Sequence, residues 1–148
     1  TWATELGVLS RRWPRSIRTW QRVSPGTSGG VSLAGSLAAA GGALLVALAA
    51  LLFWPFTDTL LTDRLLLGLI IAGAGFTGGL VDSLLGAPIQ AIYWCPQCRK
   101  ETERTPLHTC QTQTTLLRGW KWMNNDVVNL LCTASGALIA WLLTILVY

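Results

Sequence analysis

Residues 65–85 are long enough to cross a bilayer and yet carry a carboxylate, and that combination constrains this chain more than any other feature. A transmembrane helix needs about 20 mostly apolar residues, and this run supplies them with Asp82 as its only charge after Arg64. An ionisable group held toward the end of a span costs up to roughly 3 kcal/mol on insertion scales, so it faces a bundle interior, a partner or a watery cavity rather than lipid. Gly75, Gly79, Asp82 and Gly86 recur at helical spacing, which puts a small-residue groove and the carboxylate on one stripe where other helices approach closely. The plainer reading keeps Gly75-x-x-x-Gly79 as a packing face only, with Asp82 near the headgroups.

With 51% apolar and 12% charged residues, the chain is not an ordinary soluble domain. Its length allows one integral membrane domain over residues 1–148. The start at Thr1, without Met or the pattern of a signal peptide, reads as part of a longer protein.

Residues 1–36 are too charged to span. Arg11, Arg12, Arg15, Arg18 and Arg22 stand against a single acid, Glu5, and Trp2, Trp13 and Trp20 interleave with them, a mixture suited to the membrane interface. Pro14 argues against one continuous helix there. Pro25-Gly26-Thr27-Ser28-Gly29-Gly30-Val31-Ser32 then forms a glycine and hydroxyl loop ahead of an apolar run, able to cradle phosphate oxygens at a helix start. It lacks the Lys of a Walker loop and the strand context of a dinucleotide fingerprint; a flexible connector is the alternative.

Three spans are predicted, at about 37–54, 65–85 and 127–147. The fold class expected is all-α, a transmembrane helical bundle with a small cysteine-rich cytosolic insert at 95–126. Ile92 ends the apolar character of the second span, and Tyr93-Trp94 resembles an interfacial belt. The insert contains Cys95-x2-Cys98-x9-His108-x-Cys110. A Cys-x2-Cys knuckle offers two thiolates to one tetrahedral ion, and His108 with Cys110 completes a Cys3His zinc set, although their separation is tighter than usual; free thiols are the alternative. Cys132, inside the last span, is expected to be a packed core thiol.

Asn125, Asp126 and Asn129 gather by i+3 and i+4 spacing at the start of the third span, where the helix dipole favours anions or a metal-bridged phosphate. One of them is enough to cap the helix. Five Lys or Arg lie in residues 1–36, one in 55–64 and five in 95–126, so the first and third of these segments are expected on the cytosolic side. Asp82, the 25–32 loop and Asp126 then gather at the cytosolic surface.

Thr1-Trp2-Ala3-Thr4-Glu5-Leu6-Gly7, the 25–32 loop, Val81-Asp82-Ser83-Leu84-Leu85-Gly86-Ala87 with Gln90, and Asn124-Asn125-Asp126-Val127-Val128-Asn129 resemble the successive motifs of the transmembrane protein 19 family of multi-pass proteins, whose plant relatives include a phytyl-phosphate kinase. The cysteine insert departs from that pattern. The resemblance implies phosphate transfer to or from an isoprenoid or lipid phosphate, with a nucleoside triphosphate and magnesium. Glu5, Asp82 and Asp126 are then the carboxylates. Gly26, Thr27, Ser28, Gly29, Gly30 and Ser32 are the phosphate donors, Asn125 and Asn129 orient, and Arg22 neutralises charge. Asp82 and Asp126 are expected to share the magnesium.

The expected partners are the bilayer, the lipid phosphate and the nucleotide, with homo-oligomerisation open and nucleic acid excluded. An endomembrane such as the endoplasmic reticulum is the expected location. The competing reading is a non-catalytic multi-pass protein with a structural or scaffold role.

Overall fold

The computed structural model describes residues 2–10, 12–53 and 60–148. The expected end of the first span at Trp54, and most of the link that follows it, lie outside these. Among the described residues, three helices are long and apolar enough to cross a membrane: α2 (Leu33–Phe53), α3 (Leu61–Gly86) and α4 (Asn125–Val147). A short α1 (Trp2–Val8) precedes them, and Pro14 separates it from a two-stranded hairpin of β1 (Arg15–Ser16) and β2 (Gly30–Val31).

The all-α expectation needs correction, because the insert forms an antiparallel sheet. Its strands are β3 (Ile92–Cys95), β4 (Lys100–Thr102) and β5 (Thr115–Arg118), in the order β4-β3-β5. The Ile92-Tyr93-Trp94-Cys95 run is β-branched and aromatic, which suits a central strand paired on both sides. Ile92, Tyr93 and Cys95 are buried, so Tyr93 belongs to the insert's core rather than to an interfacial belt.

The helices alternate in direction. Gly86 at the end of α3 lies against Ser28, ahead of α2, while at the far end the Tyr148 hydroxyl donates to the Asp63 carbonyl at 3.1 Å. The hairpin, the loop and the insert all sit at the first of these ends. Trp13, Trp20, Trp120 and Trp122 are exposed in the segments that cap it, the last two stacked at 5.5 Å.

The expected face is used toward α2, where a Cβ added at Gly75 would stand 3.4 Å from the Ala43 Cβ, but the α3–α4 crossing uses a different glycine face. A Cβ added at Gly78 would stand 3.0 Å from the Cys132 carbonyl oxygen and 3.3 Å from the Gly136 Cα, so α3 and α4 cross on Gly78 and Gly136. At Gly79 an added Cβ meets nothing within 4 Å. One residue is a 100° turn of the helix, so the Gly75–Gly79 stripe looks elsewhere. Gly78→Ala is accordingly expected to destabilise the bundle by about 1–3 kcal/mol through overpacking. Gly73→Ala, where an added Cβ also meets nothing, is neutral or stabilising, by up to about 1 kcal/mol of helix propensity. Thermal unfolding of the two variants in one detergent checks the contrast.

Candidate functional site

The Gly75–Gly79–Asp82 stripe faces a cavity of about 660 Å³ enclosed by α1, the 25–32 loop, α2, α3 and α4. Helical phase explains what α3 contributes: Gly75, Gly79 and Asp82 line the wall, and Asp82, half-buried, stands four residues before the helix end. Glu5 enters from α1, and Gly26, Thr27, Ser28, Gly29, Gly30 and Ser32 line the wall from the loop. From α4 come Asn125, Asn129 and Cys132, so Cys132 lines the cavity and is only half-buried.

Two predicted residues stand apart. Asp126 is exposed and is not among the described residues lining the cavity. The reason lies two residues earlier, where the Asn124 side chain accepts from the Val127 amide at 2.9 Å and serves as the N-cap. That cap leaves Asn125, Asn129 and Cys132 on the inward stripe and turns Asp126 off it. Arg22 is likewise exposed and off the cavity wall, its backbone bridged to Arg15 in the hairpin.

The loop is built from turns that need glycine. Gly26 and Gly29 have φ of 83° and 77°, in the left-handed region, and the Gly30 amide closes a turn on the Thr27 carbonyl at 2.9 Å. Gly29 also presses on the end of α3, where an added Cβ would come within 2.5 Å of the Ala87 Cβ. Ser32 accepts from the Gly35 amide at 3.1 Å and so caps α2, which begins four residues earlier than expected.

Polar groups that sequence reading did not assign stand in the wall or brace it from behind. Gln90 is buried, and its Nε2 donates to Glu103 at 2.8 Å while its Oε1 accepts from the Ser28 hydroxyl. A carboxylate only accepts, so Glu103 fixes which way this amide points. Glu103 also lines the cavity. Arg118, on β5, donates to the carbonyls of Gly86 at 3.1 Å, Ala87, and Ser28 at 3.4 Å. Gln90 stands out in sequence as a polar residue just past a span, whereas nothing local marks Glu103 or Arg118.

A second constellation lies in the insert. The ligand atoms of Cys95, Cys98, His108 and Cys110 all fall within 4.8 Å of one another. Cys95 and Cys110 sulfurs are 3.5 Å apart, and His108 Nδ1 is 3.2 Å from the Cys110 sulfur. Ligands at 2.0–2.3 Å on a tetrahedral zinc are spaced about 3.3–3.8 Å from each other, so this set can hold a metal ion. Both turns end on a left-handed residue, one closing over four residues and the other over three. The Arg99 amide bonds back to the Cys95 carbonyl and the Gln111 amide to the His108 carbonyl, each at 2.9 Å, and both residues are left-handed. The Cys110 thiol is drawn down to about 5 by hydrogen bonds from Thr112 and His108. Its hydrogen bond with Cys110 pushes Cys98 up to about 11.

Residues 1–137 match the family model described as "Integral membrane protein DUF92". The chain is similar to Protein PGR of Arabidopsis thaliana, 46% identical over 99 residues that cover 64% of this chain and 34% of the relative. It is also similar to the uncharacterized membrane protein MJ0933 of Methanocaldococcus jannaschii, 36% identical over 87 residues, 59% of this chain and 33% of that protein. The chain therefore spans about a third of the length of these relatives. No solved structure matches.

Proposed function

This chain belongs to the DUF92 family of integral membrane proteins, and from that premise we propose that it is part of a membrane phosphotransferase acting between a nucleoside triphosphate and an isoprenoid or lipid phosphate. One observation carries the reading. The cavity joins a glycine and hydroxyl loop to three carboxylates, Glu5, Asp82 and Glu103, with no Lys, Arg or His among its described lining residues. Such a wall repels a bare phosphate and suits one that arrives with a divalent cation. The oxygen donors fit magnesium, which is commonly held by one or two carboxylates, several waters and the substrate's phosphates. Asp82 and Glu5 would hold that ion, which supplies neutralisation of phosphate charge.

The remaining work is positioning, since phosphoryl transfer asks little covalent chemistry of a protein. Loop amides bind phosphate oxygens, and Asn125 and Asn129 orient the acceptor from across the cavity. Trp2, Leu45, Phe76 and Leu80 form an apolar side of the same cavity, which suits a lipid tail. Asp126 and Arg22, both outside the wall, take at most a peripheral part. The narrower likeness to the transmembrane protein 19 motifs favours an isoprenoid over other lipids.

In this reading the basic segments face the cytosol, an endomembrane is the setting, and the Cys95, Cys98, His108 and Cys110 set holds zinc. The test uses the full-length protein in vesicles with radiolabelled ATP or CTP and a panel of isoprenoid monophosphates. Magnesium-dependent transfer to at least one lipid is expected. Absence of transfer to every lipid, with either nucleotide, would return the protein to a scaffold role.

A further inference from the structure

We propose that the cysteine insert is a clamp for the 25–32 loop, with Arg118, Gln90 and Glu103 as its positioning residues and the metal at the knuckles as the group that keeps the clamp formed. This rests on the phosphate-binding reading of the loop for its functional consequence, though not for its mechanics. Three contacts carry it, all between the insert and the loop or the end of α3.

The first is Arg118. Its guanidinium reaches the carbonyls of Gly86 and Ala87, at the electron-rich end of α3, and the Ser28 carbonyl in the loop. One cation therefore ties the loop to the helix that carries Asp82. The second is the chain from Ser28 through Gln90 to Glu103, in which the insert's carboxylate sets the amide and the amide oxygen accepts a hydrogen bond from the Ser28 hydroxyl. That hydroxyl is thus a tether rather than a phosphate donor. The third is the Trp120 amide, which donates to the Ile89 carbonyl at 3.0 Å and holds the end of β5 beside the residues that follow α3.

Arg118 ends β5 and Glu103 directly follows β4, so their spacing depends on the sheet staying intact. Cys95 ends the central strand, and the turn from Cys95 to Arg99 leads directly into β4. His108 and Cys110 lie in the excursion between β4 and β5. A metal bound to all four ligands closes both connections of this three-stranded sheet.

The experiment is hydrogen exchange on the full-length protein in nanodiscs, read at the loop amides, together with protection of those amides by magnesium-ATP and magnesium-CTP. Losing charged hydrogen bonds in Arg118→Ala should speed loop exchange on the order of 10-fold or more and weaken nucleotide protection, with α4 unchanged. Stripping the metal from wild type should do the same. Glu103 is exposed, so Glu103→Ala folds; it should also loosen the loop, while Glu103→Gln, which keeps an acceptor for Gln90, should leave loop exchange near wild type. Unchanged loop exchange in Arg118→Ala, in Glu103→Ala and in stripped protein overturns the clamp. Equal loss of protection in Glu103→Gln and Glu103→Ala with a quiet loop also overturns it, because Glu103 would then act by charge inside the cavity. A wild-type loop that neither nucleotide protects defeats the phosphate reading instead, and the exchange rates still decide the clamp.

Discussion

Asp82→Asn is expected to lower phosphoryl transfer on the order of 10²–10³-fold, the range seen when one preorganised electrostatic contact is removed from a catalytic site. The side chain keeps its size and loses only the charge, and its position on the cavity stripe is away from the Gly78–Gly136 crossing. Helix packing should therefore survive, with insertion and purification as for wild type. Asp126→Asn supplies the comparison, because Asp126 is exposed and off the cavity wall; its effect should fall well short of that at Asp82. Initial rates at saturating nucleotide separate the two. Equal effects at both positions would place the metal between them instead, and near-normal activity of Asp82→Asn would remove the metal from this cavity.

Cys98→Ser should empty the insert of zinc and unfold it without disturbing the helices. Structural zinc in finger peptides contributes about 10–16 kcal/mol at neutral pH. The sheet has little else to stand on: its strands are three or four residues long, and the buried residues between positions 92 and 118 are Ile92, Tyr93, Cys95 and His108. Proteolysis is expected to cut between 96 and 114 in the variant, and elemental analysis should fall from one zinc per chain to none. Cys132→Ser, in α4 and outside the ligand set, should keep its zinc. A wild-type protein purified without chelators that contains no metal, and whose insert resists protease nonetheless, would reject the site.

The spans were legible because length and apolar composition decide them, and their starts moved by only two to four residues when local caps were seen. Ser32 explains the early start of α2, and Asn124 that of α4. Ligand convergence in the insert was legible from spacing alone. Its sheet was not, because attention to ligand spacing hid the Ile92–Cys95 strand, whose burial depends on β4 and β5 lying either side. The stripe on α3 was legible as a stripe: Gly75 packs on Ala43 of α2 and Gly86 on the 25–32 loop, while Gly79 and Asp82 line the cavity. Periodicity gives the angle between residues but not which neighbour each angle meets. The same limit put Asp126 with Asn125 and Asn129. Glu103 and Arg118 enter through strand pairing over long sequence separation, which no local pattern encodes.

The exposed tryptophans at the cavity end have a kinetic consequence. Rings of this kind settle at the boundary between headgroups and water, and in the proposed reaction they would set the depth of the bundle and hold its cavity end at headgroup level. In the proposed reaction the two substrates then arrive through spaces of different dimension. The nucleotide diffuses in three dimensions and is counted per volume, whereas the lipid diffuses in two and is counted per area of membrane. Adding inert lipid to the vesicles dilutes the second without touching the first. Turnover would then depend on the mole fraction of substrate in the bilayer, and a rate quoted against bulk lipid concentration alone would describe the preparation rather than the protein.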